Sequence, residues 1–315
     1  MLLPANQDAP AVLATVRATF DVAGGFDPLS EAVFDRIART IYGLDPASLG
    51  DEWPSLSRAA AEQAVSLMVL LEYAAHPLRP EVAAAVEQAA RRLGVHVPLV
   101  DDAAELAHRH FRLVYMDLER QSWYTSETVR QTLRGRGIEL LRSKLAYEGI
   151  VPSPRIARRW RGLRACAPGT WGRAVADFYE QHGFPFPGDR HGIYELGARH
   201  DWVHVLTDYE TDPEGEIDVF AFIAASMVDR HGLVLLAFTL SLFQNGSITR
   251  VDGKVIDAAC ADTLSGPGAV ARFVDALRRG RACAVDVMGS LDLFAYRDVP
   301  LDEVRARFGV LPKAF

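Results

Sequence analysis

The sequence predicts an all-α protein, and three observations support this fold class. Apolar residues recur at helical spacing along most of the chain. We find no segment that alternates apolar and polar residues convincingly, as a half-buried strand would. Proline, glycine and small polar residues bound the helical segments at positions typical of helix ends. We therefore expect a helical bundle in residues 1–150 and a second helical domain in residues 151–315.

The helices of the first region can be placed in order from their ends. Residues 1–25 show no stable periodicity and are expected to form a loose arm. Pro80 suits the first turn of a helix, and Asp101 and Asp102 place negative charge at a helix start, where the macrodipole favours it. Gly135 and Gly137 weaken the middle of the last helix. The predicted helices span residues 30–42, 57–75, 80–94, 101–120 and 126–147.

Composition narrows the class of protein. The chain of 315 residues is 49% hydrophobic, which is ample for a sizeable core. A net charge of −7 argues against a nucleic-acid partner, because phosphate contacts need a concentrated basic surface. The three cysteines lie far apart and form no Cys-x-x-Cys pair, which fits a reducing cytoplasm. The longest apolar run, Leu233–Phe243, is too short to span a bilayer. We expect a cytoplasmic protein; homo-oligomerisation is left open.

A basic segment lies near the predicted boundary. Five arginines occur between Arg155 and Arg164, with apolar residues interleaved. Such a segment can lie on an anionic membrane surface or hold an acidic ligand. It can equally be a solvated linker, or its arginines can pair with acidic residues. Both interpretations stay open at this point, so a peripheral membrane contact is one expectation.

Two histidines carry the clearest chemical signal. His200 and His204 are four residues apart, so on a helix they lie on one face, one turn apart. Two imidazoles in this register commonly present a divalent metal with two nitrogen ligands. Asp201 lies about 100° round the helix from His200 and can still reach a bound ion or its water.

A third ligand is predicted twelve residues after the second histidine. On one straight helix Glu216 would lie roughly 18 Å from His204, too far to share an ion. Asp212-Pro213 and Gly215 favour a turn, and an apolar helical pattern follows over residues 217–228. We therefore expect Glu216 at the start of a second helix that folds back. Mixed nitrogen and oxygen ligands suit Zn, Mn and Fe, with Zn the first expectation.

Other side chains are candidates for supporting roles. Arg199 and Arg250 could hold a substrate carboxylate in a bidentate fork, although such arginines are more often surface ion pairs. His231 is expected to cap the C-terminus of the helix that follows Glu216. His182 and His191 lie in a Gly- and Pro-rich stretch that is predicted to be a loop.

The second half of the chain resembles the Coq4 family of ubiquinone-biosynthesis proteins. The central pattern is His200-Asp201-x-x-His204, eleven residues, then Glu216. The flanking stretches that agree are 168–173 with 178–179, 205–207, 215–216, 280–281, 300–305 and 309–310. The resemblance covers about residues 150–315. It implies a metal-dependent enzyme that decarboxylates or hydroxylates the ring of an aromatic acid or a prenylated hydroxybenzoate. Asp201, Arg199 and Arg250 would then assist catalysis on a hydrophobic aromatic or isoprenoid substrate.

The first half weakly resembles TerB-like helical domains. The stretch 75–81 keeps Glu81 but lacks the Asp-Gly of their acidic element, so we assign no metal ligand there.

Two alternatives to the enzyme remain. The resemblance also allows a non-catalytic lipid-binding or scaffold protein in which the metal is structural. The His200-Asp201 pair alone would suit an HD-type phosphohydrolase, with His182 or His191 and Asp257 or Asp262 as the further ligands, but this leaves His204 and Glu216 unexplained.

Overall fold

The computed structural model describes residues 2–50, 53–251, 254–289 and 291–314. The chain is predominantly α-helical, which confirms the predicted fold class. Two short antiparallel strands, β1 (Arg250–Val251) and β2 (Lys254–Val255), pair with each other. The helices are α1 (Ala9–Val22), α2 (Pro28–Arg36), α3 (Arg58–Ala74), α4 (Pro80–Leu93), α5 (Leu99–Ala107), α6 (Phe111–Gln121), α7 (Trp123–Gln131), α8 (Gly137–Tyr147), α9 (Pro154–Arg161), α10 (Trp171–Gln181), α11 (Arg199–Thr207), α12 (Pro213–Ser226), α13 (His231–Phe243), α14 (Ala269–Ala282) and α15 (Leu301–Phe308).

The chain forms two compact units. The first unit comprises residues 1–121, 211–281 and 312–315, and the second comprises residues 122–210 and 282–311. The boundaries between these units differ from the predicted boundary near residue 150, because each unit contains helices that are distant in sequence. Whether residues 1–150 and 151–315 fold independently stays a prediction.

The first unit is built around α3. Twelve of the fifteen residues from Ala60 to Ala74 are buried, and this helix packs against α1, α2, α4, α5 and α13. The C-terminal carbonyls of α3 are satisfied from beyond α13, since Gln244 Nε2 donates to Ala74 O (2.9 Å) and Asn245 Nδ2 donates to Tyr73 O (3.0 Å). The apolar run predicted from the sequence is therefore a core helix of this unit.

The second unit is organised by aromatic side chains. Trp160, Trp171 and Trp202 are fully buried, and the ring centroids of Trp171 and Trp202 lie 5.0 Å apart in edge-to-face geometry. Trp171 Nε1 donates to the backbone oxygen of Trp202 (3.2 Å), which ties α10 to α11. This packing fixes the helix that carries both histidines.

The N-terminal arm predicted for residues 1–25 is wrong, because most of it is the helix α1. Val12, Val16 and Phe20 are buried at four-residue spacing, and Phe20 stacks on Phe26 with ring centroids 4.3 Å apart. Alanines dilute this stripe in the sequence, but α1 still buries it against α3 and α4.

Three helix boundaries also differ from the prediction. The helix expected over 101–120 breaks where Arg109 takes a left-handed conformation (φ 64°). The helix expected over 126–147 breaks at Gly135 (φ 82°), where glycine meets no steric penalty. His231 begins α13 rather than ending α12, because the Asp229 carboxylate accepts from both its backbone N (2.9 Å) and Nδ1 (2.9 Å).

Among the described residues, no helix is both long enough and apolar enough to cross a membrane.

Candidate metal centre

The two histidines lie on one face of α11, as predicted. Their ring centroids are 5.4 Å apart, which is the separation expected for neighbours one turn apart. His204 is only 1% exposed, and the ring of Phe178 stacks beside it with a centroid distance of 5.9 Å. The side chain of His200 is 15% exposed. The pair is therefore held in a largely water-excluded position.

Backbone carbonyls determine which ring nitrogen of each histidine is basic. His200 Nδ1 lies 2.6 Å from Gly197 O, and His204 Nδ1 lies 3.1 Å from Tyr209 O. A carbonyl oxygen can only accept, so Nδ1 must carry the proton in both rings. The lone pair of each neutral imidazole is then on Nε2. A hydrogen bond from the ring nitrogen that does not bind the metal is the usual way in which proteins orient metal-binding histidines.

Asp201 lies beside this pair. Its Oδ1 is 3.2 Å from His200 Nε2, and its Oδ2 accepts a short hydrogen bond from the Tyr179 hydroxyl. His200 Nδ1 already carries the proton that it donates to Gly197 O, so Nε2 of the neutral ring presents a lone pair to Asp201 Oδ1. This contact is favourable when a second proton or a metal cation binds next to Nε2. Burial, and then the negative charge of Asp201, raise the pKa of Tyr179 well above its ordinary value, so the phenol remains a donor.

Tyr179 is a side chain of the candidate site that sequence reasoning did not assign. It is fully buried on α10, 22 residues before Asp201. Phe178-Tyr179 belonged to the stretch that resembles the Coq4 family, but no spacing rule connects a tyrosine on one helix with an aspartate on the next. Only the packing of α10 on α11 brings them together.

Arg199 begins α11, and its guanidinium holds a loop. Its Nη2 donates to Leu291 O (2.9 Å) and Gly289 O (3.2 Å), and it lies over the ring of Trp123 at 5.7 Å. Burial lowers the pKa of Arg199, although Glu127 and nearby acids partly offset this. These bonds give Arg199 a positioning role in the second unit; its predicted contact with a substrate carboxylate stays a prediction.

Glu216 and Arg250 belong to the first unit. Glu216 lies half-buried in the first turn of α12, as predicted, and Pro213 occupies the first helical position. The Asp212 carboxylate caps this helix by accepting from Gly215 N (2.8 Å). Arg250 is an exposed residue of β1. Thus α11 brings together His200, Asp201 and His204, whereas Glu216 and Arg250 lie on separate elements.

Comparisons with known proteins give little further information. No protein-family model matches the chain, and no curated protein matches it. One solved structure, of a proposed ubiquinone biosynthesis protein from Nostoc punctiforme PCC 73102, aligns with 77% of this chain and 97% of its own, at 19% sequence identity and a TM-score of 0.34. A TM-score this low carries no argument about function.

Proposed function

We propose that His200, His204 and Glu216 bind one divalent metal ion, with Asp201 beside it, and that the protein is a metal-dependent enzyme. The observation that carries this proposal is the pair of Nδ1–carbonyl hydrogen bonds, which leaves a basic Nε2 on each of two histidines one turn apart. Two neutral imidazoles and a carboxylate suit Zn, Mn or Fe, and Zn is our first expectation.

The proposed substrate is an aromatic acid or a prenylated hydroxybenzoate, as the Coq4 resemblance implies. A bound metal supplies a Lewis acid that stabilises negative charge on a ring oxygen. Loss of CO2 leaves an electron pair on the ring, and a proton takes the place of the carboxylate. Asp201 is the proposed group that passes this proton from water to the ring carbon, because the Tyr179 hydroxyl donates to its Oδ2 and fixes its orientation.

Metal analysis of the purified protein tests the proposal. We expect about one equivalent of metal in the unchanged protein and less than about a fifth of that in His204→Ala, since one of three ligands is lost. His182→Ala is the matched control, because His182 lies outside the proposed ligand set: it is the residue that follows α10, and its Nδ1 lies 2.9 Å from Phe178 O. Equal metal content in all three proteins, prepared without chelators, would overturn the proposed site.

The Glu216→Gln variant distinguishes two roles for the metal. In an enzyme the ion would be catalytic, whereas in a non-catalytic lipid-binding or scaffold protein it would be structural. Loss of turnover with an unchanged melting temperature supports the enzyme. Loss of the cooperative melting transition supports the structural alternative, because metal-binding energy is then folding energy.

A further inference from the structure

The second unit concentrates exposed apolar side chains in a short part of the chain. Half of the large hydrophobic residues that are exposed in the described part of the protein lie between residues 129 and 151, on α7, α8 and the segments that follow them. Their exposed fractions range from 55% to 83%, for Val129, Leu133, Ile138, Leu141, Ile150 and Val151. Exposed hydrophobic residues that occur singly need no explanation, whereas six within 23 residues are a local concentration that a docking partner would explain.

The same part of the chain is strongly basic. Residues 122–164 contain ten arginines and lysines and three glutamates, a net charge of +7 in a chain whose total is −7. Glu180, Asp189 and Glu195 pair with Arg164, Arg161 and Arg159, which reduces this surplus to about +4. Three arginines of the basic segment predicted from the sequence are therefore paired with acidic residues, whereas its contact with a membrane surface or an acidic ligand stays a prediction.

The surplus charge is carried by identifiable arginines. Arg134, Arg142 and Arg158 are exposed and have no acidic partner anywhere in the described ranges of the chain. Arg158 lines an open pocket of about 500 Å³, together with Pro152 and the Arg161–Asp189 ion pair. Pro152 directly follows the exposed Ile150-Val151 pair. Exposed cationic and exposed aliphatic side chains are thus interspersed along residues 129–161, and we call these exposed side chains together the basic apolar surface.

We propose that the basic apolar surface docks on an anionic phospholipid bilayer. Its aliphatic side chains would enter the boundary between headgroups and acyl chains, and Arg134, Arg142 and Arg158 would pair with lipid phosphates. Charge decides between this occupant and a second copy of the chain, because two copies of a surface with a surplus of about +4 repel each other. The proposal is independent of the metal, since none of its residues belongs to the proposed ligand set.

Vesicle co-sedimentation at low salt, with a chelator present, tests the docking. We expect binding to vesicles of phosphatidylcholine with about 30% phosphatidylglycerol to exceed binding to pure phosphatidylcholine by at least about tenfold, and to fall as salt is raised. Binding that is equal on both vesicles, or absent from both, would overturn the proposal.

Matched variants assign the binding to this surface. Arg134→Gln/Arg142→Gln is expected to weaken binding by about 25-fold, roughly fivefold for each arginine. Arg58→Gln/Arg307→Gln removes the same charge at exposed positions elsewhere and should leave binding nearly unchanged. Leu133→Asp/Ile138→Asp should abolish binding, whereas Val22→Asp/Val255→Asp makes the same change at exposed sites of the first unit. An equal loss in test and control variants would contradict the assignment.

Two further measurements separate the alternatives. Circular dichroism melting of each variant shows whether it folds, and the exposed positions predict unchanged transitions. Gel filtration that shows a dimer dispersed by Leu133→Asp/Ile138→Asp would mean that a second copy covers the surface. Millimolar inorganic phosphate, added at constant ionic strength, tests for a free-phosphate site. If phosphate abolished vesicle binding of the unchanged protein but not of the Arg158→Gln variant, the surface would bind free phosphate instead of a bilayer.

Discussion

At the scale of single residues, the candidate centre depends on hydrogen bonds that set protonation. Carbonyl oxygens of Gly197 and Tyr209 select the tautomer of each histidine, and Tyr179 holds Asp201. None of these partners offers a metal ligand itself. Their contribution is to orient the donors, and substitution of such supporting groups commonly lowers metal affinity by about 10- to 100-fold.

Tyr179→Phe tests this support. Loss of the hydroxyl removes a buried hydrogen bond to a carboxylate, so we expect the free energy of unfolding to fall by about 1.5–3 kcal/mol and metal affinity to fall about tenfold. Chemical denaturation and metal titration measure the two effects. Tyr42→Phe is the control, because the Tyr42 hydroxyl donates to Pro4 O (3.0 Å) in the first unit. Equal metal affinity in both variants would show that Tyr179 only stabilises the fold.

Asp102 provides a test of pH dependence in the first unit. Burial, with a smaller contribution from Asp117, raises the pKa of this carboxyl to about 6, against an ordinary 3.8. Between about pH 4 and pH 6 the unfolded chain therefore releases this proton while the folded chain keeps it, so stability falls as pH rises. The loss of stability is complete about one pH unit above this pKa and amounts to about 2 kcal/mol, since the partial hydration of Asp102 weakens the effect.

The measurement is urea denaturation of Asp102→Asn across this range. Relative to the unchanged protein, the variant should gain stability as pH rises from about 4, and the difference should become constant about one pH unit above the pKa of Asp102. Asp101→Asn, an exposed neighbour in the same helical turn, controls for loss of charge at the start of α5. A stability difference for Asp102→Asn that does not vary with pH would rule out the raised pKa.

At the scale of secondary-structure elements, backbone proximity limits the side chains that a helix can carry. Gly280 lies on α14 where a Cβ atom would meet the backbone oxygen of Phe222, on α12, at 2.2 Å. A backbone neighbour cannot move aside as a flexible side chain can, so this glycine permits α14 to approach the helix that carries Glu216.

Gly280→Ala is therefore expected to destabilise the protein by about 1–3 kcal/mol through overpacking, even though alanine favours helices. Gly162→Ala is the matched control, because Gly162 has a negative φ and a Cβ atom added there would meet nothing within 4 Å. Thermal or urea denaturation compares the two. Similar stability of both variants would show that α12 and α14 can separate at no cost.

At the scale of the whole molecule, each compact unit combines segments that are distant in sequence. The first unit joins residues 1–121 to residues 211–281, and α13 packs on α3 and α6. Residues 1–150 alone lack α12, α13 and α14, so the buried faces of α3 and α6 would be exposed in that fragment.

A fragment of residues 1–150 should accordingly retain helical circular dichroism but lack a cooperative thermal transition, because its core is incomplete. Binding of a hydrophobic dye would report the exposed apolar surface. The full-length chain is the reference for both signals. A cooperative transition in the isolated fragment would instead establish the independent N-terminal domain that the sequence predicts.

Local information was sufficient for much of the secondary structure and for the histidine pair. The helix start at Pro80, the end of the histidine helix before Asp212-Pro213, and the register of His200 and His204 all follow from interactions within about four residues, whereas Gly215, expected in the turn, lies inside α12. The sequence therefore determined the fold class, most helices and the face that carries the two imidazoles. It also suggested the ligand set, which remains to be tested by metal analysis.

Only the tertiary structure decided which distant segments meet. The packing of α1 on α3 and α4, the packing of α13 on α3, and the hydrogen bond from Tyr179 to Asp201 each join segments that residue spacing does not connect. Hydrophobic packing is non-directional, so an apolar stripe indicates that a helix is buried without indicating its partner. The choice of partner depends on the sum of many weak contacts across the chain, which emerges only when the whole protein is folded.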